Sequence, residues 1–156
     1  MKSIKWAFLA LSLITLTLNS CKKSGTTPTT PKVTHTLTLK YNGNDYTAST
    51  FSVGYSTMVG LQMSGIFDPN TAMTFSIYSG VKVGSFDISS GNAGTYFTAG
   101  TTAPKSYTGT TGTITITSFT STTVAGTFQF TGTDIADGST CTVTNGTFQT
   151  SYTTLN

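Results

Sequence analysis

Few side chains in this sequence can do chemistry. There is one histidine, His35, and neither glutamate nor arginine. General acid–base and nucleophilic catalysis need a base poised beside a nucleophile or a water. A Ser-His-Asp arrangement would have to recruit His35. Nothing in the spacing supports it, and there is no Gly-x-Ser-x-Gly elbow. The aspartates are Asp45, Asp68, Asp87, Asp134 and Asp137. Each sits in or beside a turn, where a carboxylate bonds nearby backbone, whereas glycoside hydrolysis usually takes two opposed carboxylates. Zinc needs several Cys or His ligands. The run Asp134-Ile135-Ala136-Asp137-Gly138 lacks the spacing and ligand count of a calcium loop. No phosphate-cradling or dinucleotide glycine motif is present. We therefore expect no catalytic residue, no metal site and no cofactor. Among the seven tyrosines, Tyr46, Tyr55, Tyr78 and Tyr96 are the candidate ligand-binding residues, as a stacking platform for a sugar or the mouth of an apolar site. The competing reading places them half-buried at strand ends and on sheet faces.

Cys21 is the other candidate. Two lysines in the first five residues precede an apolar run from Trp6 to Leu18, as in a secretory signal. The run is shorter than the roughly 20 apolar residues of a spanning helix. Leu18-Asn19-Ser20-Cys21 follows and resembles the lipobox of bacterial lipoproteins. That resemblance implies cleavage before Cys21 and its acylation. Two or more acyl chains hold stably where one holds marginally. Lys22 stands where an aspartate favours inner-membrane retention in that class, so the resemblance points to the outer membrane. No acidic residue follows, which favours its periplasmic face over the cell surface.

Three segments result: residues 1–20 as signal, 21–32 as lipidated cysteine and tether, and 33–156 as a single domain. The tether, KKSGTTPTTPK after Cys21, has no apolar side chain and cannot bury enough surface to fold. Fully extended, it reaches on the order of 35 Å. The overall formal charge of +3 misdescribes the domain, because five of the eight lysines lie before Val33. Lys40, Lys82 and Lys105 against five aspartates leave it at −2. Nucleic-acid binding needs a basic face, so we expect none. Cys141 lies in a β-patterned run and reads as a buried, inert thiol.

Strand formers position these residues. Val33, His35, Leu37, Leu39 and Tyr41 alternate with Thr and Lys, giving one buried face. Asn42-Gly43 marks a hairpin. Runs follow over Tyr46–Tyr55, over Val59–Phe67 (one face, interrupted at Gly65), and over Met73–Ile77 after an Asp68-Pro69-Asn70 turn. Further runs are GVKVGSFDIS, bent at Gly84, then GTYFTAGT, then the Ile114/Ile116 and Val124/Phe128/Phe130 pair around a TSTT turn. The last contains Val143, Phe148 and Tyr152, with a bulge at Asn145-Gly146. Gly126-Thr127-Phe128-Gln129 recurs as Gly146-Thr147-Phe148-Gln149, which suggests adjacent strands with Phe inward and Gly for close approach or a bulge. The fold class is all-β: an antiparallel meander of about eight or nine strands forming a sandwich or small barrel.

The lipobox, the early YNGNDYTA hairpin and the closing TGTITITSFTSTTVAGTFQFTG and CTVTNGTFQTSY segments resemble a family of small Thr/Gly-rich Bacteroidota lipoproteins of unknown function. The resemblance spans most of the chain after Cys21 and brings no catalytic residues. The expected function is a membrane-anchored lipoprotein of the bacterial envelope with a non-enzymatic binding or structural β domain. Its partners would be the membrane, through acylated Cys21, and an envelope protein or glycan. The alternative is a barrel-type carrier of a small apolar molecule or glycan.

Overall fold

Alternating apolar and hydroxyl side chains commit most of the chain to strands. The computed structural model describes residues 33–100 and 103–154. Cys21, the signal segment and the tether lie outside the described residues. Ten strands form: β1 (Thr36–Tyr41), β2 (Asn44–Thr47), β3 (Thr50–Ser56), β4 (Gly60–Asp68), β5 (Thr71–Ile77), β6 (Gly84–Asp87), β7 (Ala93–Ala99), β8 (Lys105–Phe119), β9 (Thr123–Asp134) and β10 (Thr140–Ser151). All belong to one antiparallel sheet, ordered β2-β1-β10-β9-β8-β7-β5-β4-β3, with β6 pairing the far half of β8. The chain from β3 to β10 is a meander, and the first hairpin docks on the last strand.

The sheet curls into a half-barrel, and the corner at Ala48-Ser49 shows how. The Ala48 amide donates to the Leu37 carbonyl of β1 at 2.9 Å, and the next amide, of Ser49, donates to the Ile66 carbonyl of β4 at 2.8 Å. Two consecutive residues thus bond to β1 and β4, the second strands from opposite ends of the sheet. For this reason the expected single run from Tyr46 to Tyr55 is two strands, and the total is ten rather than eight or nine. Gly65 does not interrupt its strand. It faces Leu37 across the curl, where a methyl group would collide with the leucine. The concave face is filled by Leu37, Leu39, Leu61, Met63, Ile77, Ile114, Ile116 and Val143, all nearly inaccessible. Phe75 of β5 lies 5.6 Å from Phe128 of β9 and 5.1 Å from Phe148 of β10, centroid to centroid. Edge and offset contacts of this kind contribute about 0.5–1.5 kcal/mol beyond area burial.

The repeated Gly-Thr-Phe-Gln has a specific cause. In the β9–β10 register Phe128 stands opposite Gly146, and Phe148 opposite Gly126. Each phenyl ring lies over the other strand's glycine, in space a Cβ would occupy. The bulge between Val143 and Gly146 sets this register, with Asn145 at φ 51°. On the convex face, hydroxyls pair across strands: Thr38 with Thr147 at 2.8 Å, Ser64 with Thr74 at 3.0 Å, and Ser85 with Thr115 at 3.0 Å. Such pairs contribute roughly 0.2–1 kcal/mol each, which gives the threonine-rich composition a structural role.

Two expectations about individual residues fail. Val59 lies in the β3–β4 turn, exposed, rather than on the buried face of β4. The strand expected across Gly84 begins there, and Val83 before it is exposed. In both places apolar alternation runs beyond the strand into the adjoining connection.

Candidate functional site

Strands β1, β4, β6, β7 and β9 run toward one end of the half-barrel, and the others return. At that end, the mouth, lie the Asn42-Gly43 turn, the Pro69-Asn70 turn, the β7–β8 connection and the Ile135–Ser139 loop. At the other end, the base, lie the Thr57–Val59, Tyr78–Val83 and Thr120–Thr122 connections. Val33 leads into β1 from the base, since His35 bonds to Thr150 at the end of β10.

The mouth holds a cleft of 510 Å³ lined by Tyr41, Asn42, Asn44, Tyr46, Asp68, Asn70 and Gly100 among others. Its aromatic floor is Tyr41 and Tyr46, each backed by a buried phenylalanine. Phe97, fully buried, takes the Tyr41 ring edge-on at 4.9 Å and 69°. Tyr46 lies 6.4 Å from Tyr41 and meets Phe67 edge-on at 6.3 Å. Its walls are polar turn residues. The turn with Asn42 at φ 49° and Gly43 at φ 78° has both central residues left-handed, which suits the twist of a two-residue hairpin. Asp68 accepts a hydrogen bond from the Asn70 amide at 2.8 Å, fixing the facing turn. Burial first, and then hydrogen bonding with Tyr107, pushes the Tyr41 hydroxyl up to about 12. It therefore stays protonated at neutral pH.

Electrostatically, the mouth is the acidic end. Lys40 pairs with Asp45 at 3.6 Å, and Lys105 with Asp137 at 2.7 Å. The Lys105 ammonium, followed by Ser139, holds the Asp137 carboxyl well below the usual carboxylate range. Asp134 is buried and accepts from the amides of Ala136 at 2.8 Å and Ser106 at 3.2 Å. The carboxylates of the Asp134–Gly138 run are thus held by backbone amides, Lys105 and Ser139. Asp68 has no lysine within ion-pair distance among the described residues. No group of three or more His, Cys or acidic residues comes together among them either.

The four candidate tyrosines fall in three places. Tyr46 lines the mouth. Tyr55 is at the base, packed edge-on against Phe119 at 5.2 Å and Tyr152 at 5.3 Å. The Tyr152 hydroxyl donates to the Thr120 carbonyl. Tyr78 and Tyr96 are exposed on the outer wall, where they flank an open groove of 340 Å³ with Thr74, Ser76 and Thr108. His35 is exposed at the base and bonds to the hydroxyls of Thr150 at 2.8 Å and Ser151 at 3.4 Å. No aspartate shares that contact set. Cys141 is buried and free, and burial raises its thiol. Tyr41, Asn42, Asn44 and Asn70 belong to the mouth but were not singled out from sequence. Their turn signals are legible, but the curl that sets two turns face to face is not.

The described residues thus form an all-β half-barrel whose concave face is filled by side chains, with an aromatic, polar-rimmed cleft at the mouth. The chain belongs to the family described as domain of unknown function DUF6252, which matches residues 34–150. No curated protein and no solved structure matches it.

Proposed function

We propose that this protein is a non-enzymatic lipoprotein of the envelope of a Bacteroidota bacterium, held on the periplasmic face of the outer membrane by acylated Cys21, and that its mouth binds an envelope glycan. The observation that carries this reading is the opposition of the two ends. The chain enters β1 at the base, while the cleft with Tyr41, Tyr46, Asn44, Asn70 and Asp68 opens at the other end. With the tether joined at the base, the cleft lies at the end of the domain farthest from the point of attachment. The cleft's chemistry suits a sugar: ring faces for C–H patches, with amides and a carboxylate for hydroxyls. The filled interior favours this surface cleft over the carrier reading, which needs an enclosed chamber.

The test is titration calorimetry of the mature acylated chain, in detergent, with oligosaccharides released from envelope polysaccharide. Saturable heat that Tyr46→Ala abolishes, with Tyr96→Ala unaffected, is expected. Equal loss from both variants would move the site to the outer wall, and no heat with any oligosaccharide would remove the glycan reading.

A further inference from the structure

The base carries an unexplained surface. Met58 is 87% exposed and Val59 73%, both in the β3–β4 turn, and Val83 is 59% exposed in the β5–β6 loop. A single exposed apolar side chain is ordinary, whereas several gathered at one end of a domain mark an interaction surface. These loops share one level of the half-barrel. Tyr55, just before the β3–β4 turn, packs on Phe119 and bridges to Thr154, and Gly84, just after the β5–β6 loop, pairs with Ile116.

Charge divides the same way. The three base connections contain Lys82 and no aspartate. Lys82 has no ion-pair partner among the described residues, whereas Lys40 and Lys105 at the mouth end are both paired. Asp45, Asp68, Asp134 and Asp137 belong to the mouth end, while Asp87 closes β6 opposite Thr113 of β8, above the base, and accepts from the amide and hydroxyl of Ser89. The chain before Val33 joins at the base and carries Lys22, Lys23 and Lys32 within its last eleven residues. Apolar tips beside lysines, with no carboxylate in the connections that carry them, are the composition that enters the headgroup region of an anionic bilayer.

We infer that the base docks on the bilayer, with Met58, Val59 and Val83 inserted at the headgroup boundary and Lys82 at anionic lipid phosphates. The domain then stands on the membrane at a fixed orientation, with its mouth outward. This rests on the reading of Cys21 as the lipid anchor. A tether reaching on the order of 35 Å would alone leave the domain free to tumble, and base docking removes that freedom.

The sole native tryptophan, Trp6, precedes the cleavage point, so an introduced tryptophan reports by itself in the mature chain. Met58→Trp, Val83→Trp and Ile135→Trp are each placed in the acylated chain. Ile135 is a matched control, 86% exposed but at the mouth. Each is reconstituted in phosphatidylethanolamine–phosphatidylglycerol vesicles with plain or brominated acyl chains. The expected result is blue-shifted emission, strongly quenched by brominated lipid, for Met58→Trp and Val83→Trp, with Ile135→Trp unchanged. Adding Lys82→Glu should reduce the quenching. Emission from the base variants that ignores bromination, in a chain whose mass shows acylation and which floats with the vesicles, overturns docking and leaves the anchor intact. A mature chain without acyl mass overturns both.

Discussion

The mouth and the base close the same strands with different materials. At the mouth, aromatic rings are recessed and turns carry amides and carboxylates: Tyr41 lies on buried Phe97, Tyr46 on Phe67, and Asn42, Asn70 and Asp68 form the rim. At the base, rings are used for closure, with Phe119 and Tyr152 stacked at 5.7 Å and Tyr55 against both. The apolar residues left outside there are flexible or branched aliphatics at loop tips. A recessed aromatic floor with a polar rim suits a small polar ligand, and protruding aliphatics beside lysine suit an interface. Composition averaged over the chain hides this difference, because threonine dominates both walls.

The largest effect on this comparison should come from Phe97→Ala. It removes the fully buried ring that supports Tyr41 beneath the mouth and also contacts Tyr107 and Phe130. Loss of about 3–5 kcal/mol is expected, read as a fall in the urea midpoint, together with loss of glycan heat. Gly126→Ala should cost about 1–3 kcal/mol by overpacking, since the new methyl meets the Phe148 ring and the Thr115 carbonyl. It lies in the shared wall, so ligand binding by the folded fraction should be unchanged. If both variants weakened binding equally, the mouth would not be a separate region.

Alkaline titration sharpens the contrast further. The Tyr41 hydroxyl is pushed up to about 12 from an ordinary value of 10, so the folded state favours its neutral form. That contribution is complete below pH 10 and is lost as pH rises from 10 through about 12. Burial raises Cys141 and Tyr152 too, and their contributions fall in the same direction. Urea midpoints should therefore begin to drop above about pH 9, where Cys141 starts to lose its contribution, and fall further above pH 10, and Tyr41→Phe should flatten the part above pH 10. An unchanged profile for Tyr41→Phe would show the mouth hydroxyl to be solvated. The smallest effect should be that of Met58→Ser, within about 0.5 kcal/mol, because the side chain touches little. A larger loss would make Met58 a packing residue and weaken the case for an interface at the base.

Most of the strand content was legible in the sequence because the side-chain period of a strand is local. Leu37 and Leu39, Met73, Phe75 and Ile77, and Ile114 and Ile116 all face inward as their alternation predicts. The parity change at Asn145-Gly146 located the bulge, and the repeated Gly-Thr-Phe-Gln located two neighbouring strands. What needed the structure was longer in range. Leu37 over Gly65 and Phe75 over Phe148 depend on the curl of the sheet, which no window of sequence encodes. Strand ends were also missed where apolar residues run on into a loop, as at Val59 and Val83. Those two residues now belong to the base surface, so the pattern failed where a surface reading competes with burial. Of the four tyrosines singled out, Tyr46 alone lines the mouth. Its partners come from turns whose meeting is a tertiary fact.

The central claim is that ligand and membrane occupy opposite ends. It is tested most directly by amide chemical-shift mapping of the acylated chain in nanodiscs on adding an envelope oligosaccharide. The account predicts shifts confined to Asn42, Asn44, Tyr46, Asn70 and Gly100, with the base amides around Met58 and Val83 unmoved. Shifts centred instead on the outer wall between Tyr78 and Tyr96, or at the base, would contradict it.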